Sequence, residues 1–126
     1  MKRIVFVFSL MFIAVFANAG APTCHTHSSG NYCKYYGPVS QIYINSSNQI
    51  LLYFEEPVDV SEANSVGMGI SSGIAASFNV TENPEFAKLF YSTALAAQAS
   101  GRNVSIQMRG SYGGYLKFDR IWLPAP

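Results

Sequence analysis

Cys24, His25, His27 and Cys33 are the residues of this chain best suited to chemistry, because thiolate and imidazole together make zinc ligands. Their spacing matches no established zinc finger. In an oxidising compartment the same two thiols would instead form a disulfide closing a ten-residue loop, which limits the unfolded chain by up to about 2.7 kcal/mol. The disulfide is the expectation and the metal reading its alternative. Acid–base or nucleophilic catalysis needs a constellation of partners. Neither histidine has an identifiable carboxylate or nucleophile beside it, so no enzyme, metal or cofactor is expected. Glu55, Glu56, Asp59 and Glu62 hold four of the seven carboxylates. They suit calcium by type but match no EF-hand spacing, and a solvated loop is expected. Gly67-Met68-Gly69-Ile70-Ser71 lacks the Gly-Lys-Ser/Thr of a phosphate loop.

Aromatic and polar side chains remain. Tyr32, Tyr35, Tyr36, Tyr43, Tyr112 and Tyr115 stand among Gln41, Gln107 and Arg109. A tyrosine offers a flat apolar face and a hydroxyl, which suits the mixed faces of a sugar ring. Tyr35, Tyr36, Gln41, Gln107, Arg109 and Tyr112 are therefore the candidate ligand-binding residues. The same residue types also favour strands and turns, so each carries a structural reading beside the functional one.

The elements that would position them are punctuated. Asn83 is suited to an N-cap and Pro84 to the first helical position, Glu85 lies in the first turn, and Gly101 supplies a left-handed C-terminal residue. A 17-residue helix is predicted over 84–100, with Phe86, Leu89, Phe90, Thr93, Ala94 and Ala97 toward a sheet. Its other face, with Ser92, Leu95, Ala96 and Ala99, has no charge from Leu89 to Ser100. A helix facing water usually has a charged stripe. These four residues are the expected oligomer interface, against the plainer reading of an alanine-rich helix that tolerates water.

Val39 to Ile44 and Gln49 to Phe54 read as a hairpin about the turn Asn45 to Asn48. Val66 to Val80, broken by Gly67, Gly69 and Gly73, reads as a strongly bent strand. After the helix, Val104, Ile106 and Met108 alternate with Ser105, Gln107 and Arg109. Gly110 to Gly114 turns the chain, and Tyr115 to Leu123 returns with Leu116, Phe118 and Arg120 on one side and Lys117, Asp119 and Ile121 on the other. Three strands, a helix and two strands predict a mainly β protein with one helix. The expected architecture is a small five-stranded OB-fold-like barrel with the helix between strands three and four.

Met1 to Ala19 has Lys2 and Arg3, an apolar run from Ile4 to Phe16, and Ala17-Asn18-Ala19, the pattern of a cleaved signal peptide. The 126 residues less 19 leave 107, enough for one domain. The expected division is a leader over 1–19, a stapled segment over 20–36 and the OB-fold-like domain over 37–126. Losing Lys2 and Arg3 changes the formal charge from +1 to −1, without the basic patch that nucleic acid or anionic lipid requires. A secreted or periplasmic protein with no later membrane span is expected. Asn45, Asn79 and Asn103 open glycosylation-like triplets, discounted because the leader looks bacterial.

The run Ala94 to Gly101 with Asn103-Val104-Ser105-Ile106, together with Tyr36-Gly37-Pro38-Val39, resembles the B subunits of subtilase-cytotoxin-type bacterial toxins. The resemblance implies an OB-fold subunit in a ring of five, helices lining the centre, bound to cell-surface glycans that are often sialylated, with a catalytic toxin subunit as companion. Departures accompany it. The family's glycan-contacting serine falls at Tyr36 and its tyrosine at Met108, and its disulfide near the second strand is missing. The expected function is an exported, non-enzymatic, oligomeric glycan-binding protein. The alternative is a small secreted or periplasmic protein that inhibits or scaffolds another protein.

Overall fold

The computed structural model describes residues 20–126, so the leader expected over 1–19 lies outside them. Seven strands and two helices follow in chain order: β1 (Thr23–His25), β2 (Tyr32–Pro38), β3 (Ile42–Ile44), β4 (Gln49–Tyr53), α1 (Val60–Ser65), β5 (Ala75–Asn79), α2 (Pro84–Ser100), β6 (Asn103–Tyr112) and β7 (Tyr115–Trp122). The class is mainly β. One sheet contains every strand in the order β1-β2-β6-β7-β5-β4-β3, antiparallel throughout except where β5 runs parallel to β7.

This corrects the expected five-stranded closed barrel with one helix. The order is open, with β1 and β3 at its two edges. Both extra strands precede the first predicted one, Val39 to Ile44: the stapled segment forms β1 and most of β2, while the predicted strand is shortened to β3. The sheet nevertheless cannot be flat. β2 and β3 stand five strand spacings apart in the order, roughly 24 Å on a plane. The link from Pro38 to Ile42 reaches at most about 14 Å, so the sheet bends round on itself.

Inside the bend lie Tyr35, Leu52, Ala76, Val104, Ile106, Met108, Leu116 and Phe118, all without solvent contact. Helix α2 covers this core with Ala87, Phe90, Ala94 and Ala97. Its ends match the sequence reading. Asn83 Oδ1 accepts from the Phe86 amide at 3.1 Å, and Gly101 ends the helix in the left-handed region at φ 67°. Its inward face differs in two respects, because Ala87 is buried and Leu89 is 68% exposed. Each residue advances about 100° around the axis, so a face centred on Ala87, Phe90, Ala94 and Ala97 leaves Leu89 well outside it.

Three further expectations fail locally. Residues 66–74 form no strand, because Gly67 and Gly69 have positive φ and the Asn64 side chain takes both backbone groups of Ile70, at 2.8 and 2.9 Å. The acidic stretch is partly a helix: Asp59 caps α1 by accepting from the Glu62 amide at 3.1 Å. On β7, Gln107 pairs with Arg120 but Met108 pairs with Phe118, leaving Asp119 as an extra, bulged residue. The bulge reverses the alternation beyond it, so Ile121 packs on the core and Arg120 is exposed.

Tyr35 offers a test of this core. Its hydroxyl donates to the Pro38 carbonyl at 2.8 Å. Burial pushes its phenol above the ordinary value; a Glu55 backbone group opposes that, and the Glu55 charge adds to it. A folded-state value raised in this way gives stability that is complete below the unfolded tyrosine pKa of about 10 and lost as pH rises through the folded value. Alkaline titration of unfolding should therefore show stability falling above pH about 10. Tyr35→Phe should flatten that fall while costing about 1 kcal/mol at neutral pH. An unchanged alkaline limb in the variant would refute the assignment.

Candidate functional site

Strand alternation decides which side chains face outward. On β2, Cys33, Tyr35 and Gly37 are buried while Lys34 and Tyr36 are exposed. On β6, Val104, Ile106 and Met108 point inward, leaving Ser105, Gln107 and Arg109 on the outer side. Register then aligns these positions in rows across the sheet. Thr23, Lys34, Gln107 and Arg120 form one row, and Tyr36, Ser105 and Trp122 form the next.

In the second row two aromatic side chains flank a small one. Tyr36 is 53% exposed and Trp122 46%, while Ser105 between them is 8% exposed. Two strand spacings separate the aromatic positions, roughly 10 Å. A groove of about 350 Å³ opens beside Trp122, lined by Lys34, Ser105, Leu123 and Pro124. The Arg102 guanidinium donates to the Pro124 carbonyl and so holds the C-terminal residues against the sheet. On the far side of Pro124 a second hollow, about 210 Å³, includes Tyr36, Arg102 and Asn103.

Lys34 makes no salt bridge among the described residues, whereas Arg120 is paired with Asp119 at 2.7 Å. An exposed indole, a phenol, a hydroxyl and a free ammonium can stack on the C–H face of a sugar ring and hydrogen-bond its hydroxyls. The ammonium also favours an anionic substituent.

The structure brings Tyr36, Gln107 and Arg109 of the sequence candidates onto this one face. Arg109 Nη1 donates to the carbonyls of Ser29 and Gly30, both at 3.3 Å, and the guanidinium carbon stands 5.8 Å from the Tyr32 ring centre. Tyr35 is a correction: alternation turns it into the core with its hydroxyl already bonded, so it presents nothing to a ligand. Gln41 is exposed at the bend before β3, where its carbonyl accepts from the Tyr53 amide at 3.1 Å. Tyr112 lies at the β6–β7 turn opposite Tyr115, its carbonyl accepting from Ser77 Oγ at 2.6 Å. Neither joins the face. Lys34, Ser105 and Trp122 were missed, although Trp122 is the only tryptophan in the chain.

Cys24 and Cys33 are directly opposed on β1 and β2 and form the disulfide. That removes both thiolates from the zinc alternative. The histidines have local partners: His25 Nε2 lies 2.9 Å from Thr23 Oγ1, and His27 Nδ1 lies 2.7 Å from Ser29 Oγ. Among the acidic residues, Asp59 is a helix cap and Glu62 Oε1 accepts from the Cys24 amide at 3.0 Å, tying α1 to β1. No three His, Cys, Asp or Glu side chains gather as a metal site among the described residues, and no described helix is long and apolar enough to cross a membrane.

The expected interface residues Ser92, Leu95, Ala96 and Ala99 all lie on the exposed side of α2. Leu89 joins them, and Glu85 and Lys88 pair with each other at 3.8 Å near the start of the helix. Comparison with protein-family models, curated proteins and solved structures finds no match.

Proposed function

We propose that this protein is exported, has no catalytic activity, and recognises cell-surface glycans as an oligomer in the manner of a toxin B subunit. The single observation that carries the reading is the row Tyr36, Ser105, Trp122, in which two exposed aromatic rings stand on either side of the buried Ser105 and Trp122 opens to a groove beside Lys34, which makes no salt bridge among the described residues. Export is supported by the leader pattern in the sequence and by the Cys24–Cys33 bond, which suits an oxidising compartment.

An OB-fold-like reading of the curled sheet supports the same assignment. With β2 and β3 taken as one bent first strand, β4 is the second, β5 the third, β6 the fourth and β7 the fifth, and α2 falls between the third and fourth. The family resemblance adds the ring of five and a companion catalytic subunit. The anionic sugars often bound in that family are compatible with Lys34, although its serine and tyrosine contacts are replaced here by Tyr36 and Met108.

A glycan array probed with the mature protein tests the binding face. Glycans with an anionic sugar should be retained, and Trp122→Ala should weaken them at least tenfold, about 1.4 kcal/mol of binding free energy. An array without binders would overturn the reading. The protein-binding alternative draws on a different observation, the exposed apolar side chains Tyr43, Ile44, Leu89 and Leu95. One tight protein partner in a pull-down, with a blank array, would favour it.

A further inference from the structure

A cleft of about 360 Å³ lies away from the Tyr36–Trp122 row, between the start of α2 and the strands β6 and β7. Its walls include Glu82, Asn83, Phe86, Arg109, Lys117 and Asp119. We propose that this cleft binds a neutral polyhydroxylated ligand, a single hexopyranose unit, through the Asp119 and Glu82 carboxylates and the Arg109 guanidinium.

Backbone irregularity delivers two of these groups. Between the pairs Gln107–Arg120 and Met108–Phe118, β7 has the extra residue Asp119. Between Met108–Phe118 and Ser111–Leu116, β6 advances three residues while β7 advances two, so the stretch holding Arg109 is also bulged. Bulges re-aim side chains out of regular alternation, and two adjacent ones bring Arg109 and Asp119 to the same cleft.

Polar satisfaction at Arg109 is incomplete. Its Nη atoms reach Ser29, Gly30 and Gln107, but Nε is buried without an acceptor, the one such side-chain atom among the described residues. Asp119 Oδ2 stands 3.9 Å away, beyond a hydrogen bond, and is engaged by Arg120 instead. Opening of the Arg109–Asp119 contact by an entering ligand would let a hydroxyl or ring oxygen accept from Nε, which solvent does not reach in this structure.

Charge selects the ligand class. Lys117 is paired with Glu82, and Asp119 stands by Arg109, so cations and carboxylates alternate around the walls. An anion would meet two carboxylates in the lining as well as two cations. A hydroxyl both donates and accepts, and suits such a mixed lining. Half-buried Phe86 offers an apolar edge to the C–H side of the ring, and Asn83 contributes a side-chain amide. Tyr36, Ser105 and Trp122 play no part, and Arg109, at the β6 bulge, is the one residue this cleft shares with the outer face.

Titration of the isotope-labelled protein with methyl α-D-glucopyranoside, methyl α-D-mannopyranoside and methyl β-D-galactopyranoside tests the proposal by amide chemical shifts. At least one glycoside should move the amides of Phe86, Arg109, Lys117 and Asp119 saturably in the millimolar range. Glu82→Gln, at a half-exposed carboxylate, should weaken that glycoside at least threefold, and Asp119→Asn at least fivefold. Ser47→Ala, in the exposed β3–β4 turn, should leave its affinity unchanged. Flat shifts up to 50 mM with all three glycosides would overturn the proposal. So would saturable shifts at the same amides with acetate or inorganic phosphate but not with the glycosides, or affinity insensitive to both carboxylate variants. Asp119→Asn is interpreted with Glu82→Gln beside it, so a loss of folding in the first still leaves a decisive result from the second.

Discussion

Phe118→Ala is expected to remove about 3–5 kcal/mol of stability, the usual cost of deleting a fully buried aromatic ring. The ring has no solvent contact and stacks on Phe90 at 3.7 Å with 5° between the planes. It also lies 5.4 Å from Phe78 and 6.3 Å from Phe86. It thus joins β7 to β5 and α2, and removing it opens a void that backbone ladders on both sides cannot collapse to fill. A domain of this size has about 5–15 kcal/mol in total, so the variant loses a large share of it. Urea unfolding should show the midpoint falling with an unchanged slope. Phe118→Leu should recover more than half of the loss, because most of the volume returns. A loss below about 1 kcal/mol for the alanine variant would contradict the placement of this ring at the junction of sheet and helix.

What made that junction readable in advance was α2. Asn83, Pro84 and Gly101 act through local backbone chemistry, and local chemistry is what a sequence states directly. The β3–β4 hairpin was readable for the same reason: Asn48 adopts φ 62° in the turn, and Asn45 Oδ1 accepts from the amides of Ser47 and Gln49. α1 had a signal that was passed over. Asp59 and Glu62 are spaced as a capping box, yet their charge drew the reading toward a solvated loop. Residues 66–74 misled for a subtler reason. Met68 and Ile70 alternate with glycines and are buried as a strand would bury them, but Asn64 occupies the backbone groups that a ladder would have used.

The candidate site was half legible. Gln107 and Arg109 followed from alternation on β6, and Tyr36 from its exposed position on β2. Tyr35 was chosen by residue type alone, and the one-residue shift from Tyr36 sends it to the opposite side of the sheet. A period of two carried past Asp119 would turn Trp122 toward the core, and the bulge turns it outward instead. A bulge depends on the pairing of two strands. No property of Tyr115 to Leu123 taken alone announces it.

In the oligomer proposed above, Leu95→Arg is expected to release single chains, and no other single substitution should affect assembly as strongly. The exposed back of α2 has no charge from Leu89 to Ser100, and Leu89 and Leu95 are 68% and 43% exposed. Ser92, Ala96 and Ala99 between them are small enough to admit a neighbouring backbone. Beside this face a hollow of about 260 Å³ is lined by Ile42, Ile44, Tyr91, Leu95 and Gln98, and Ile44 is itself 52% exposed at an edge strand. An arginine at Leu95 would place an unpaired charge in the centre of any contact made by this face, and a buried unpaired charge costs several kcal/mol. In the proposed ring, that penalty would fall on every subunit contact. Light scattering of the wild-type protein at micromolar concentration should report an oligomer, and the variant should report the mass of one chain that still unfolds cooperatively, its midpoint lowered only by the lost subunit contacts. Leu89→Arg, nearer the Glu85–Lys88 pair, should act in the same direction but less strongly. A strictly monomeric wild type would remove the ring, and an intact oligomer in both variants would move the contact off α2 to another surface.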